Sequence, residues 1–285
     1  MALCVSGELR VGCSSWTSDA WNGRLYPPGL PPGQRLPYYA RFFDTVEVDA
    51  TYYAIPARAM VRGWAHRTPD SFQFALKLSR ELMEQGKPLD EGKVEAFLAA
   101  AAELGPKLSG VVAQFPPSFR PPREGNEGAA GQLERLLTRL APHVPLAVEL
   151  RDKGWFQADR ASWLAARFSE HRTALAWSSL TFLEVPDLLT TDRIYLRFIG
   201  DHTTIPESSL GETRVDRTAE LQKWADSVQR RLDEVDRALV FFNNHFMGYA
   251  PASADSFLRL MGRPGVPNLG GPSGEAGQPG GPVPY

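Results

Sequence analysis

Eight short runs of apolar, β-branched and aromatic residues recur along the chain, at residues 8–13, 45–49, 72–78, 109–115, 146–151, 173–178, 193–199 and 238–243. Their lengths and bounding turn residues predict buried strands. Between most of them, apolar residues return at steps of three and four, the period of an amphipathic helix. The clearest case is 216–235, where Leu221, Trp224, Val228, Leu232 and Val235 share one face and charged residues take the other. Further helices are predicted over 36–43, 57–67, 93–104, 132–140, 159–171 and 253–261, with Pro37 in a first helical turn. Strand onsets lie 20 to 45 residues apart, close to a βα repeat of roughly 30 residues. Eight such alternations predict a single-domain α/β protein, a (β/α)8 TIM-type barrel. The shortest interval, before Arg193, leaves room only for a short sixth helix within 179–189. An open doubly wound sheet is the competing architecture, but the first strand is not followed by its Gly-x-Gly-x-x-Gly turn.

Loop lengths give the barrel a direction. The connection into the second strand is tight, whereas 14–34, 79–91, 116–131 and 200–216 leave strands as long loops. In a βα barrel such loops gather at the carboxyl-terminal face, where sites are built. A barrel strand is buried on both faces, so a charge inside one is costly unless it is paired or used. At period two, Val46 and Val48 oppose Glu47 and Asp49; Val148 and Leu150 oppose Glu149 and Arg151; Leu196 and Phe198 oppose Tyr195 and Arg197. Lys77 alternates with Leu76 and Leu78 in the same way, and Gln114 with Ala113 and Phe115. The polar set is predicted to point into the barrel. There Lys77, Arg151 and Arg197 would face Glu47, Asp49 and Glu149. Two readings follow: a salt-bridge network that fixes the barrel, or a site, because these residues stand late in their strands beside the long loops.

Composition narrows the class. Of 285 residues, 43% are hydrophobic and 11% aromatic, which excludes a disordered or fibrous protein. Lys and Arg number 31 against 33 Asp and Glu, a net charge of -2. No global field draws in nucleic acid or an anionic membrane, so any affinity for anions is local. Two cysteines, Cys4 and Cys13, make neither a disulfide framework nor a zinc site and point to a cytoplasmic protein. No stretch approaches the roughly 18 apolar residues of a membrane span. Six of the 24 prolines and seven of the 25 glycines fall within residues 263–285. That segment is expected to form a disordered tail outside a barrel domain spanning 8–262.

Several motifs are recognisable. Gly12-Cys13-Ser14-Ser15-Trp16, Tyr26-Pro27-Pro28-Gly29-Leu30, Phe42-Phe43-Asp44-Thr45-Val46-Glu47-Val48 and Thr51-Tyr52-Tyr53 open the series. Phe74-Ala75-Leu76-Lys77, Gln114-Phe115-Pro116-Pro117, Val148-Glu149-Leu150-Arg151, Tyr195-Leu196-Arg197 and Asn243-Asn244-His245 continue it in order. Together they resemble the YecE-like family, domain-of-unknown-function family seventy-two, from about Leu9 to Met261. The resemblance implies a TIM-type barrel, distantly similar in fold to sugar isomerases and endonuclease-IV-type nucleases, and no settled activity. The chain departs from the family pattern where Asp49 replaces a common Asn. It also has Glu84, Asp152 and Ile199 near positions where the family pattern leads one to expect histidine. A His-rich metal centre loses its ligands there, so a divalent metal is not favoured.

Candidate roles follow. Glu149 is the acid/base candidate, and Lys77, the second catalytic candidate, supplies fixed positive charge for an anion or a developing oxyanion. Arg151 and Arg197 supply positive charge for a phosphate or carboxylate, with Gln114, Glu47 and Asp49 beside them. Asn243 and Asn244 orient a ligand or cap the turn into the last helix, and His245 adjoins them. Trp16, Trp21, Tyr52 and Tyr53 would wall the pocket by stacking, or pack against the proline-rich loop. The leading expectation is an enzyme acting on an anionic, phosphorylated or carboxylated small molecule: a hydrolase, lyase or isomerase with no redox cofactor. The second is a nucleic-acid-binding or phosphodiester-cleaving protein, suggested by the fold analogy and the loop residues Arg80, Arg120 and Arg123. The third is a non-catalytic binding protein whose interior charges are structural. No membrane partner is expected, and the sequence leaves the oligomeric state open.

Overall fold

The computed structural model describes residues 7–84, 86–121, 128–201, 203–267 and 269. Nine parallel strands form one nearly closed sheet in the order β6-β5-β4-β3-β2-β1-β9-β8-β7, joined by seven α-helices among the described residues. The strands are β1 (Glu8–Cys13), β2 (Thr45–Val48), β3 (Gln73–Lys77), β4 (Leu108–Gln114), β5 (Leu146–Glu149), β6 (Ala174–Leu175), β7 (Trp177–Ser179), β8 (Arg193–Phe198) and β9 (Arg237–Phe242). The helices are α1 (Pro32–Tyr39), α2 (Arg58–His66), α3 (Glu91–Ala102), α4 (Gly128–Leu140), α5 (Ala158–Glu170), α6 (Thr218–Arg231) and α7 (Ala250–Leu260). The parallel α/β alternation read from the sequence is therefore present. No helix among the described residues is long and apolar enough to cross a membrane.

The one strand expected at 173–178 is two pieces. β6 pairs with β5 and β7 with β8, and Ala176 between them donates its N–H to the Val148 carbonyl at 2.9 Å. One strand position is thus split at Ala176 and serves both edges of the sheet.

Three further expectations need correction. The short sixth helix is absent: residues 181–189 run without helical structure from β7 toward β8. Pro186 has no N–H and biases Val185 away from helical geometry. Side chains fasten the segment instead: the Trp177 indole donates to the Leu188 carbonyl at 3.0 Å. The Thr190 hydroxyl accepts from the Leu175 N–H at 2.9 Å and donates to the Thr173 carbonyl at 2.7 Å. Helix α1 begins four residues earlier than expected, on Pro31-Pro32, whose fixed φ suits a helix start, so Pro37 lies inside the helix rather than in its first turn. The chain also stays docked past residue 262. Buried Val266 donates its N–H to the Asp255 carboxylate at 2.6 Å. Residue 268 and residues 270–285 of the expected tail lie outside the described residues.

The period-two pattern divides the core as expected. Val46, Val48, Phe74, Leu76, Val148, Leu196 and Phe198 join the large apolar layer that includes the helices. Ala75, Val112, Ala147, Ala174, Ala176, Tyr195, Leu239 and Phe241 form a separate cluster inside the sheet. The many alanines make room for the Tyr195 ring. Gly110 does so as well, because a Cβ there would meet that ring at 2.9 Å.

Candidate functional site

Arg197, near the end of β8, sits at the centre of the barrel. Its Nε and Nη2 donate to the two Glu47 carboxylate oxygens at 2.8 and 2.7 Å, a bidentate pair. Its Nη1 donates to Glu149 and, at 2.9 Å, to the Gln114 side-chain oxygen. The Tyr195 hydroxyl donates to Glu47 Oε2 at 2.7 Å. The side chains of Glu47 and Glu149 are 0% exposed and that of Arg197 is 1% exposed. These groups form a closed floor whose charges are spent on each other.

Nearer the loops the balance differs. Arg151 donates its Nε to Glu149, is 16% exposed, and has no other partner for its guanidinium among the described residues. Lys77 Nζ stands 3.4 Å from Asp49 Oδ1 and 4.4 Å from the Tyr52 ring centroid, a cation–π contact. Thr51 fixes this corner: its one hydroxyl proton is shared between the carbonyls of Val48 and Lys77, and its oxygen accepts the Lys77 N–H. Asp49 is 26% exposed, lies 3.8 Å from Arg197 Nη2, and its buried Oδ1 has no hydrogen-bond partner.

Environment separates the carboxylates. Burial pushes Glu149 up, but the charges and hydrogen bonds of Arg151 and Arg197 outweigh it and hold its pKa at about 2. Burial likewise raises Glu47, and Arg197, Lys77 and Tyr195 bring it below the usual 4.5. Burial raises Asp49 above its ordinary value, with Glu47 adding to the rise, despite the opposing pull of Lys77 and Arg197. Burial lowers Lys77, helped by Arg197 and resisted by Asp49. The acid and base at this corner are thus drawn toward each other. Glu149 is poorly suited to the base role expected of it: both oxygens are taken by guanidinium groups and its basicity is low.

The remaining candidates divide. Asp49, Asn243, Asn244 and His245 line a cavity of about 270 Å³ beside the charged corner. Asn244 is occupied structurally: its Oδ1 accepts from the Trp21 indole at 2.9 Å and from the first N–H of α7 at 3.1 Å. His245 is buried, with Nδ1 2.7 Å from the Ile205 carbonyl and Nε2 3.2 Å from Glu207. Trp16 does not join the cluster; it packs edge-on to Trp64 of α2, with ring centroids 5.6 Å apart. Arg120 lies 3.6 Å from Asp152, and Arg123 falls outside the described residues. No group of three or more His, Cys, Asp or Glu side chains that could hold a metal ion occurs among the described residues. Two site residues, Tyr195 and Thr51, receive no candidate role from the sequence, although both fall within its motifs. Tyr195 carries a signal, since it shares the interior face with Arg197 two positions on; Thr51 follows its strand and carries none.

The family model described as a protein of unknown function, DUF72, matches residues 10–275. The chain belongs to the DUF72 family. This agrees with the resemblance carried by the sequence motifs. The DUF72 chain is 30% identical over 155 residues to the UPF0759 protein YunF of Bacillus subtilis, covering 52% of each. It is 33% identical over 115 residues to the UPF0759 protein YecE of Escherichia coli K12, covering 40% of this chain and 39% of that one. The chain therefore spans about half the length, or less, of these curated relatives in the matched regions. A DUF72 protein of Enterococcus faecalis matches with a TM-score of 0.72 at 23% identity, over 90% of this chain and 98% of that one. A Thermotoga maritima DUF72 protein matches with a TM-score of 0.71 at 25% identity, over 90% and 100%. Both likenesses support the barrel-like fold.

Proposed function

We propose that this DUF72 protein is a (β/α)8-barrel enzyme of the TIM type that binds an anionic small molecule at the carboxyl-terminal mouth and moves a proton on it. Counting β6 and β7 as one split position gives the eight strands of that fold. The observation that carries the reading is the contrast between two layers. Glu47, Arg197 and Glu149 are fully engaged, whereas Arg151, Lys77 and Asp49 above them keep unspent donors and acceptors. A purely structural network gains nothing from such unspent groups.

In this reading Arg151 holds the anionic group, and Lys77 with Asp49 is the acid–base couple. Glu149 positions Arg151. Chemistry of this type suits an isomerase, lyase or hydrolase. Thermal unfolding with and without inorganic phosphate, acetate and a panel of sugar phosphates tests it. A bound anion at about 100 times its Kd adds roughly 2.7 kcal/mol of stability. The expected result is a rise in Tm with at least one anion that is lost in Arg151→Gln. No response to any anion, or an equal response in Arg151→Gln, overturns the proposal.

A further inference from the structure

The cavity beside the charged corner has a lining unlike that corner. Among the described residues no Lys or Arg lines it, so it offers no fixed cation to neutralise a phosphate or carboxylate. Hydroxyls, amides, aromatic edges, the His245 ring and the carboxylates of Asp49 and Glu207 line it instead. Ser14, only 3% exposed, carries a buried hydroxyl without a hydrogen-bond partner. Leaving such a group unbonded is unfavourable, and a hydroxylated ligand relieves that cost. Asn243 accepts the His245 N–H through its Oδ1 at 3.0 Å, and its amide NH2 has no partner among the described residues. The Ser18 hydroxyl accepts from Asn244 at 3.1 Å and keeps its own proton to donate. Asp49 adds a carboxylate acceptor to the lining, with its buried Oδ1 turned toward Lys77 Nζ at 3.4 Å.

Donors, an acceptor and an ambivalent hydroxyl around one small space match alcohol groups, each of which gives and takes a hydrogen bond. Trp21 and Tyr53 add apolar surface for C–H faces. A volume of about 270 Å³ falls just below the range of drug-sized pockets, roughly 300–1,000 Å³, and suits a chain of a few carbons.

Asp49 links this space to the cations. It lines the cavity and lies 3.4 Å from Lys77 Nζ. We propose that the cavity is a subsite for a hydroxylated carbon chain, which makes the substrate an anionic polyol: a sugar phosphate or sugar acid with its anion at Arg151. The inference rests on the anion site proposed above.

Calorimetric titration of the full chain with inorganic phosphate, sorbitol, sorbitol 6-phosphate and gluconate tests it. Sorbitol 6-phosphate or gluconate is expected to bind at least about tenfold more tightly than phosphate. Ser14→Ala and Asn243→Ala are expected to weaken that binding by about three- to tenfold each, the size of one neutral hydrogen bond, with phosphate affinity unchanged. Ser14→Ala loses no hydrogen bond, so its unliganded Tm should match the wild type and certify its fold. If phosphate binds but neither polyol anion binds more tightly, or the two variants bind them as the wild type does, the subsite is overturned and the anion site stands. If phosphate and both polyol anions all fail to bind, the anion site itself fails.

Discussion

Arg197 joins two carboxylates carried on β2 and β5, and Tyr195 from its own strand supplies Glu47 with a further hydrogen bond. Removing the cation strands both acids in a site where neither is exposed. Arg197→Met is expected to cost about 3–5 kcal/mol in urea unfolding. Adding Glu47→Leu and Glu149→Leu should recover part of that loss, because both stranded acids are then gone, while Arg151 loses its carboxylate partner. Period two alone makes the inward direction of these residues legible in the sequence. Which carboxylate is a base is not legible there. Glu149 loses its basicity to Arg151 two positions on and, beyond what sequence spacing shows, to Arg197 48 positions away, and Asp49 differs from its neighbour Glu47 through exposure and an unbonded oxygen.

At the scale of elements, the apolar runs place nearly every strand within a residue or two, since the helix-facing positions of each strand are mainly apolar and only its inward positions admit charge. Helix ends are less legible because prolines and tertiary contacts set them. The segment between β7 and β8 is the instructive failure. Its leucines and valine have helical spacing, yet Pro186 interrupts them and Thr190 ties the segment to β6. Thr190→Val keeps the side-chain shape and leaves a buried N–H and a buried carbonyl without that partner. It is expected to cost about 1–3 kcal/mol, and hydrogen exchange at the Leu175 amide should quicken by more than at β1 amides.

For the whole molecule, the interior charges shape the response to acid. Glu149 has a folded pKa of about 2 against an ordinary 4.5, and Glu47 is also lowered. A lowered folded pKa contributes stability above the unfolded value, and that contribution is lost as pH falls through the folded one. Asp49 is raised and acts in the opposite sense, so it offsets part of the loss. Tm should therefore fall as pH drops from about 4.5 toward 2. Glu149→Gln should flatten that slope while lowering Tm at pH 7. The near-zero net charge of the chain hints at none of this, because a sum does not reveal which charges are enclosed.

The order of the strands along the chain also bears on how the molecule comes to exist. Glu47 and Glu149 both precede Arg197, and the Tyr195 hydroxyl arrives on the same late strand, β8. During synthesis, every early strand is complete while its two innermost acids still lack their cross-barrel guanidinium. Closing an apolar interior around them at that stage is unfavourable. A nascent half-barrel is therefore expected to gain little by collapsing early, with closure coupled to assembly of the charged floor once β8, and β9 that joins it to β1, have been made.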